Sequence, residues 1–158
     1  MKVAELQIND WVMVNDVEHN HPLQVVEIFK KSGAYYATLY WDGMPEDISP
    51  DTLSADVDKI LPIPLMPGTI EKNGFKKGGG LNLSADYVFE DGEFSIFITL
   101  RATPDKKPSI YVWNRKTGAS EQLECERAGY GKEYKNFFFV HELQHALRLC
   151  GSKKEIII

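Results

Sequence analysis

His141-Glu142-Leu143-Gln144-His145 has the residue types and spacing of the zinc-hydrolase pattern H-E-x-x-H. On a helix, histidines at i and i+4 share a face and can hold one metal ion, and the glutamate beside the first can activate a metal-bound water. The uncharged Leu143, Gln144, Ala146 and Leu147 suit such a helix. A catalytic zinc also requires a third protein ligand and an open position for water. In the extended pattern H-E-x-x-H-x-x-G-x-x-H, the final histidine position falls on Gly151 and the glycine position on Arg148. Ser152 to Ile158 is too short for a following helix and offers Glu155 as its lone carboxylate. Upstream, His19 and His21 form an H-x-H in a turn, and nothing in the sequence brings that turn to the C-terminal helix.

The same residues also have a plain structural reading. Glu142 in the first turn and Arg148 in the last complement the helix dipole. At 100° per residue, Val140, Leu143, Ala146, Leu147 and Cys150 form one apolar stripe, with His141, Gln144, His145 and Arg148 expected on a solvated opposite face. The expectation is therefore no catalytic residue and no metal. The alternative is a zinc-dependent hydrolase with His141 and His145 as ligands and Glu142 as base.

The elements that would position these residues fall into two parts. From Val3 to Leu65 the signals are β: Val3 to Ile8, Trp11 to Val14, Leu23 to Phe29 and Ala34 to Trp41, separated by Asn9-Asp10, His19-Asn20-His21-Pro22 and Lys31-Ser32-Gly33. Short strands this close together predict a small curled barrel, and Leu6-Gln7-Ile8-Asn9-Asp10-Trp11-Val12 is similar to the opening of SH3-like barrels. Asp47 to Asp58 reads as an acidic loop or irregular edge, and Lys59 to Leu65 as an extended segment closed by prolines.

Pro67 to Gly74 predicts a short helix with proline at its start and Asn73-Gly74 at its cap. Gly78-Gly79-Gly80 lacks the spacing and Lys-Ser/Thr ending of a phosphate loop and reads as a hairpin turn. Asp91-Gly92 then joins Asp86 to Glu90 with Glu93 to Leu100, where Phe94, Ile96, Ile98 and Leu100 share one face and Phe97 lies on the other. Ser109 to Asn114, Ser120 to Glu126 and Tyr134 to Phe139 extend an antiparallel meander, closed by a helix from Val140 to Cys150. Ile156-Ile157-Ile158 is expected to pair at an edge or tuck against the core. The fold class is thus α+β: a small SH3-like β-barrel over 1–65, then a short linking helix and a meander capped by the C-terminal helix over 66–158.

Composition narrows the function classes. The 158-residue chain is 43% hydrophobic and 26% charged, as globular proteins are, and its net charge of −5 disfavours a broad nucleic-acid footprint. With no apolar leader and no run long enough to cross a bilayer, a cytoplasmic location without membrane association is expected. Cys125 and Cys150 belong to no C-x-x-C pair and are expected as buried free thiols.

Three stretches carry a resemblance: Leu6-Gln7-Ile8-Asn9-Asp10-Trp11-Val12, the central Pro62-Ile63-Pro64-Leu65 leading to Ile70 and Asn73-Gly74-Phe75, and the closing Val140 to Gly151. In these the chain resembles a family of small uncharacterised proteins from gut Bacteroidetes and their phages or mobile elements. That family typically opens L-R-I-G-N-W/Y-V, carries P-I-P-L-T before a short helix ending in G-F, and often closes V-H-Q-L-Q-N. This chain departs with Asn9-Asp10 for Gly-Asn and Met66 for threonine. The resemblance implies a packing helix at the C-terminus rather than a metal helix, and it assigns no catalytic residue.

The expected function is a non-catalytic binding or adaptor protein, of phage or mobile-element origin, with an unknown protein as partner. Tyr35, Tyr36, Tyr40 and Trp41 are the candidate binding residues, against the plain reading that alternate members fill the core and the others scatter over the surface. A further alternative is a nucleic-acid-binding small barrel that uses Lys30, Lys31, Lys76, Lys77 and the tyrosines.

Overall fold

The computed structural model describes residues 2–15, 21–40, 53–78, 85–100, 107–125 and 138–158. The described residues form two antiparallel five-stranded sheets, two short α-helices and two 3-10 turns, an α+β protein dominated by β-structure. The chain divides into two compact units, Met1–Ile63 with Ile158, and Pro64–Ile157.

The first unit holds β1 (Trp11–Val14), β2 (Leu23–Lys31), β3 (Ala34–Tyr40), β4 (Leu53–Asp56) and β5 (Ile60–Pro62) in the order β4-β3-β2-β1-β5. Val3–Glu5, expected as strand, is instead a 3-10 turn, because the backbone of Glu5 and Leu6 bonds back to Lys2 and Val3 rather than across to a neighbour. Asn9 then takes a left-handed conformation, φ +70°, as the chain turns into β1. Asp10, fully buried, accepts the Gln7 N–H at 2.7 Å and so closes that turn. Ser32 (φ +50°) and Gly33 (φ +87°) form the two-residue connection of β2 to β3, the left-handed pair that matches strand twist. Part of the acidic stretch read as a loop or irregular edge is β4, a strand at the sheet edge, followed by a 3-10 turn at Val57–Lys59 that the Asp56 side chain caps through the Asp58 N–H at 3.0 Å.

Val12, Val14, Leu23, Val25, Ala37, Leu39, Ala55, Val57 and Ile60 fill this unit's core. β2 and β3 pair from Lys31↔Ala34 to Gln24↔Tyr40, with a bulge between Val25 and Glu27. The extra residue, Val26, is pushed outward to 38% exposure. Past it the alternation resets, so that Ile28 pairs with buried Ala37 on the core side and Phe29 pairs with Tyr36 on the opposite face.

In the second unit, α1 (Pro67–Lys72) ends as its sequence suggests. Gly74, at φ +82°, lets its own N–H reach Glu71 O and the Phe75 N–H reach Ile70 O, the pair of bonds that closes a Schellman motif. The meander follows as β6 (Lys76–Lys77), β7 (Tyr87–Glu90), β8 (Phe94–Thr99), β9 (Ser109–Asn114) and β10 (Ser120–Glu124), in the order β10-β9-β8-β7-β6. Phe94, Ile96, Ile98, Ile110 and Val112 make the buried face, and Phe97 lies on the other face, stacked on Tyr111 with 6.2 Å between ring centres. The helix α2 (Val140–Leu149) lies against β9 and β10. Asn114, buried in β9, donates from Nδ2 to Cys150 O at 3.0 Å and accepts the Lys116 and Thr117 N–H groups, tying the end of α2 to the turn after β9. Of the strand expected from Tyr134 to Phe139, 134–137 fall outside the described residues; at its end, Phe139 forms a single bridge with Pro64.

Candidate functional sites

The H-E-x-x-H residues sit on α2 as expected, but their surroundings differ from the solvated face inferred for them. Val140, Leu143, Ala146, Leu147 and Cys150 are buried, and so are His141 and Gln144, each only 5% exposed; His145 and Arg148 are half-buried. Leu149, by contrast, is 69% exposed. The amphipathic rule assumes that one layer covers a helix. Here the N-terminal end of α2 is also engaged by the segment before α1, through the Leu65 N–H on Phe138 O at 2.9 Å and the Pro64–Phe139 bridge.

Glu142 is a helix-capping group in this arrangement. Its Oε2 accepts the Phe139 N–H at 2.9 Å, satisfying a backbone donor that the helix start leaves open. The His141 ring lies flat against Phe139, centres 5.8 Å apart and planes 9° from parallel, and meets His145 edge-on at 5.5 Å. Among the described residues no group of three His, Cys, Asp or Glu side chains is placed to hold a metal ion. His21 is half-buried in the first unit and His19 lies outside the described residues. Cys125 and Cys150 are buried free thiols; burial foremost raises the pKa of Cys150, which suits a packing role over a nucleophilic one.

The aromatic group is divided by the strand register. Tyr36 and Tyr40 lie on the outer face of β3, two residues to either side of Thr38. Tyr35 points to the other face, 43% exposed, with the Lys30 Nζ 5.3 Å from its ring centre. Trp41 lies outside the described residues. Cross-strand pairing adds residues that the sequence did not single out. Phe29 stacks on Tyr36 with ring centres 5.7 Å apart and planes 20° from parallel. Asp56 is the direct partner of Tyr36 on β4, and Gln24 stands between Tyr40 and Trp11. Glu27, one outer position before Phe29, accepts the Thr38 hydroxyl at 3.1 Å. The outer face of this sheet is thus a band of half-buried aromatics set among polar and acidic side chains.

Of the lysines, Lys30 and Lys31 end β2 in the first unit, whereas Lys76 and Lys77 form β6 in the second, where Lys77 pairs with Glu71 at 3.3 Å. No helix among the described residues is long and apolar enough to cross a membrane.

Comparison with protein-family models, curated proteins and solved structures finds no match to this chain.

Proposed function

We propose that this is a non-catalytic binding or adaptor protein whose N-terminal unit is an SH3-like barrel that docks a protein partner on its outer aromatic face. The strand order β4-β3-β2-β1-β5, with a 3-10 turn between β4 and β5, supports the barrel reading. The left-handed Asn9 supports the likeness to the Bacteroidetes and phage family, since it stands where that family carries glycine, the residue that takes this conformation without steric cost.

The observation that carries the binding reading is the grouping of Phe29, Tyr36 and Tyr40 on one sheet face, with Tyr36 and Tyr40 half-buried rather than absorbed in the core. Aromatic side chains supply large contact area at low entropic cost, and tyrosine adds a polar tip. The test is affinity capture from a cell extract with the wild-type chain, a Tyr36→Ser, Tyr40→Ser chain and a Glu142→Gln chain. A partner retained by the first and third and lost from the second supports the reading. Retention by all three removes it.

A further inference from the structure

The Phe29–Tyr36 pair has a defined electrostatic setting. Its rings are stacked across β2 and β3, and the register brings one carboxylate to each of two sides. Asp56 stands directly opposite Tyr36 on β4, where same-face side chains are neighbours. Glu27 precedes Phe29 on the same face and is held by the Thr38 hydroxyl. Asp56 is likewise held, its Oδ1 capping the 3-10 turn through the Asp58 N–H. Both acids are thereby oriented before any ligand arrives, which lowers the cost of binding. Among the described residues, Lys30 lies over Tyr35 on the opposite face, whereas Lys31, paired with Ala34 at the hairpin end, is the next position along β2 on the Phe29 face, so the two carboxylates border the pair on the sides away from the hairpin.

An aromatic face bordered by carboxylates attracts a cation with a flat, weakly hydrated head. We propose that Phe29, Tyr36, Glu27 and Asp56 receive an arginine side chain from a basic segment of the protein partner. The proposal rests on the binding reading above and names the chemistry of the ligand. Guanidinium can stack on the ring pair while donating to the flanking carboxylates, which an ammonium group does less well. The net charge of −5 on the chain favours the encounter with a basic segment and disfavours nucleic-acid phosphate at this face.

The test is a titration followed by backbone amide shifts, with a Gly-Ser peptide carrying spaced arginines as probe. Matched peptides with lysine or glutamine in those positions, and a single-stranded oligothymidine, serve as competitors for the assignment. The arginine peptide is expected to shift amides in 27–31, 36–40 and 53–56 and to bind about fivefold or more tightly than the glutamine peptide, with lysine between them. Added salt weakens it. A Glu27→Gln, Asp56→Asn chain, in which the amide at 56 can still cap the 3-10 turn, is expected to lose the arginine preference while keeping its fold. Equal binding of arginine and glutamine peptides, an unchanged preference in that variant, or oligothymidine shifting the same amides overturns the proposal. The two readings fail differently: a captured partner that needs Tyr36 and Tyr40 but ignores Glu27→Gln, Asp56→Asn leaves the docking face standing and removes the cationic ligand.

Discussion

The side-chain amide of Asn73 pairs with the backbone of Ile157 as one strand residue pairs with another. The Ile157 N–H donates to Asn73 Oδ1 and Asn73 Nδ2 donates to Ile157 O, both at 2.8 Å, while Nδ2 also reaches Thr69 O at 2.8 Å. The cap residue of α1 thus fixes the chain's last residues, and neighbouring Ile156 is 1% exposed. Asn73→Ala removes these bonds and leaves backbone groups of a partly buried segment without their partner. A loss of about 2 kcal/mol in stability is expected, measured by chemical denaturation. A change within error would show that water replaces the amide at no cost.

The left-handed Asn9 offers a stabilising change. Asn tolerates φ +70° better than other non-glycine residues, but still carries a Cβ that glycine lacks. Asn9→Gly is expected to be neutral to stabilising by up to about 1 kcal/mol, whereas Asn9→Val should destabilise the first unit. Thermal unfolding of both variants checks the order.

How far the sequence discloses the fold depends on the range of the interactions. The Asp91-Gly92 hairpin, the Pro67 start and Gly74 end of α1, and the apolar stripe of α2 are local and were all legible. Three features were not. β4 lies in an acidic stretch that the sequence leaves open between a loop and an irregular edge, and pairing with β3, as in Ala55↔Ala37, decides it rather than its own propensity. Phe29 would face the core by strict alternation from Leu23 and Val25, and only the bulge at Val26 turns it to meet Tyr36. His141 and Gln144 are buried although single-helix periodicity places them opposite the apolar stripe, because burial is set by tertiary packing that the periodicity of one helix does not contain. The candidate binding face was half legible for the same reason: alternation separates Tyr36 and Tyr40 from Tyr35, but Phe29, Glu27 and Asp56 join them only through register.

Glu142 separates the capping role from the catalytic one. A glutamine retains the acceptor that closes on the Phe139 N–H, and an alanine does not. Glu142→Gln should therefore preserve most of the stability, and Glu142→Ala should lose about 1 kcal/mol by denaturant titration. A base in a zinc hydrolase would show a different pattern: Glu142→Gln would abolish a metal-dependent activity and stability would be unaffected.

Asp91 gives the hairpin before β8 a pH dependence. Its Oδ1 accepts the Phe94 N–H at 2.6 Å and the Glu93 N–H at 2.8 Å. The Phe94 bond foremost holds its pKa below the ordinary carboxylate value, with burial opposing and Glu93 adding. Because the folded pKa is the lower one, the stabilisation is fully present above the unfolded carboxylate pKa and is lost as pH falls through the folded value. A carboxyl-carbon titration of Asp91 should show a midpoint below that of an unstructured aspartate, and Asp91→Asn should make stability less sensitive to acid. A midpoint at or above the ordinary value would contradict the geometry.

The proposed working surface is the outer face of the N-terminal sheet and not the H-E-x-x-H helix. Its most direct test is amide hydrogen exchange on the chain alone and in complex with the captured partner. Slowed exchange in 23–40 and 53–56, with 138–150 unchanged, is the expected result. Protection confined to 138–150, with the N-terminal sheet exchanging as in the isolated chain, would contradict it.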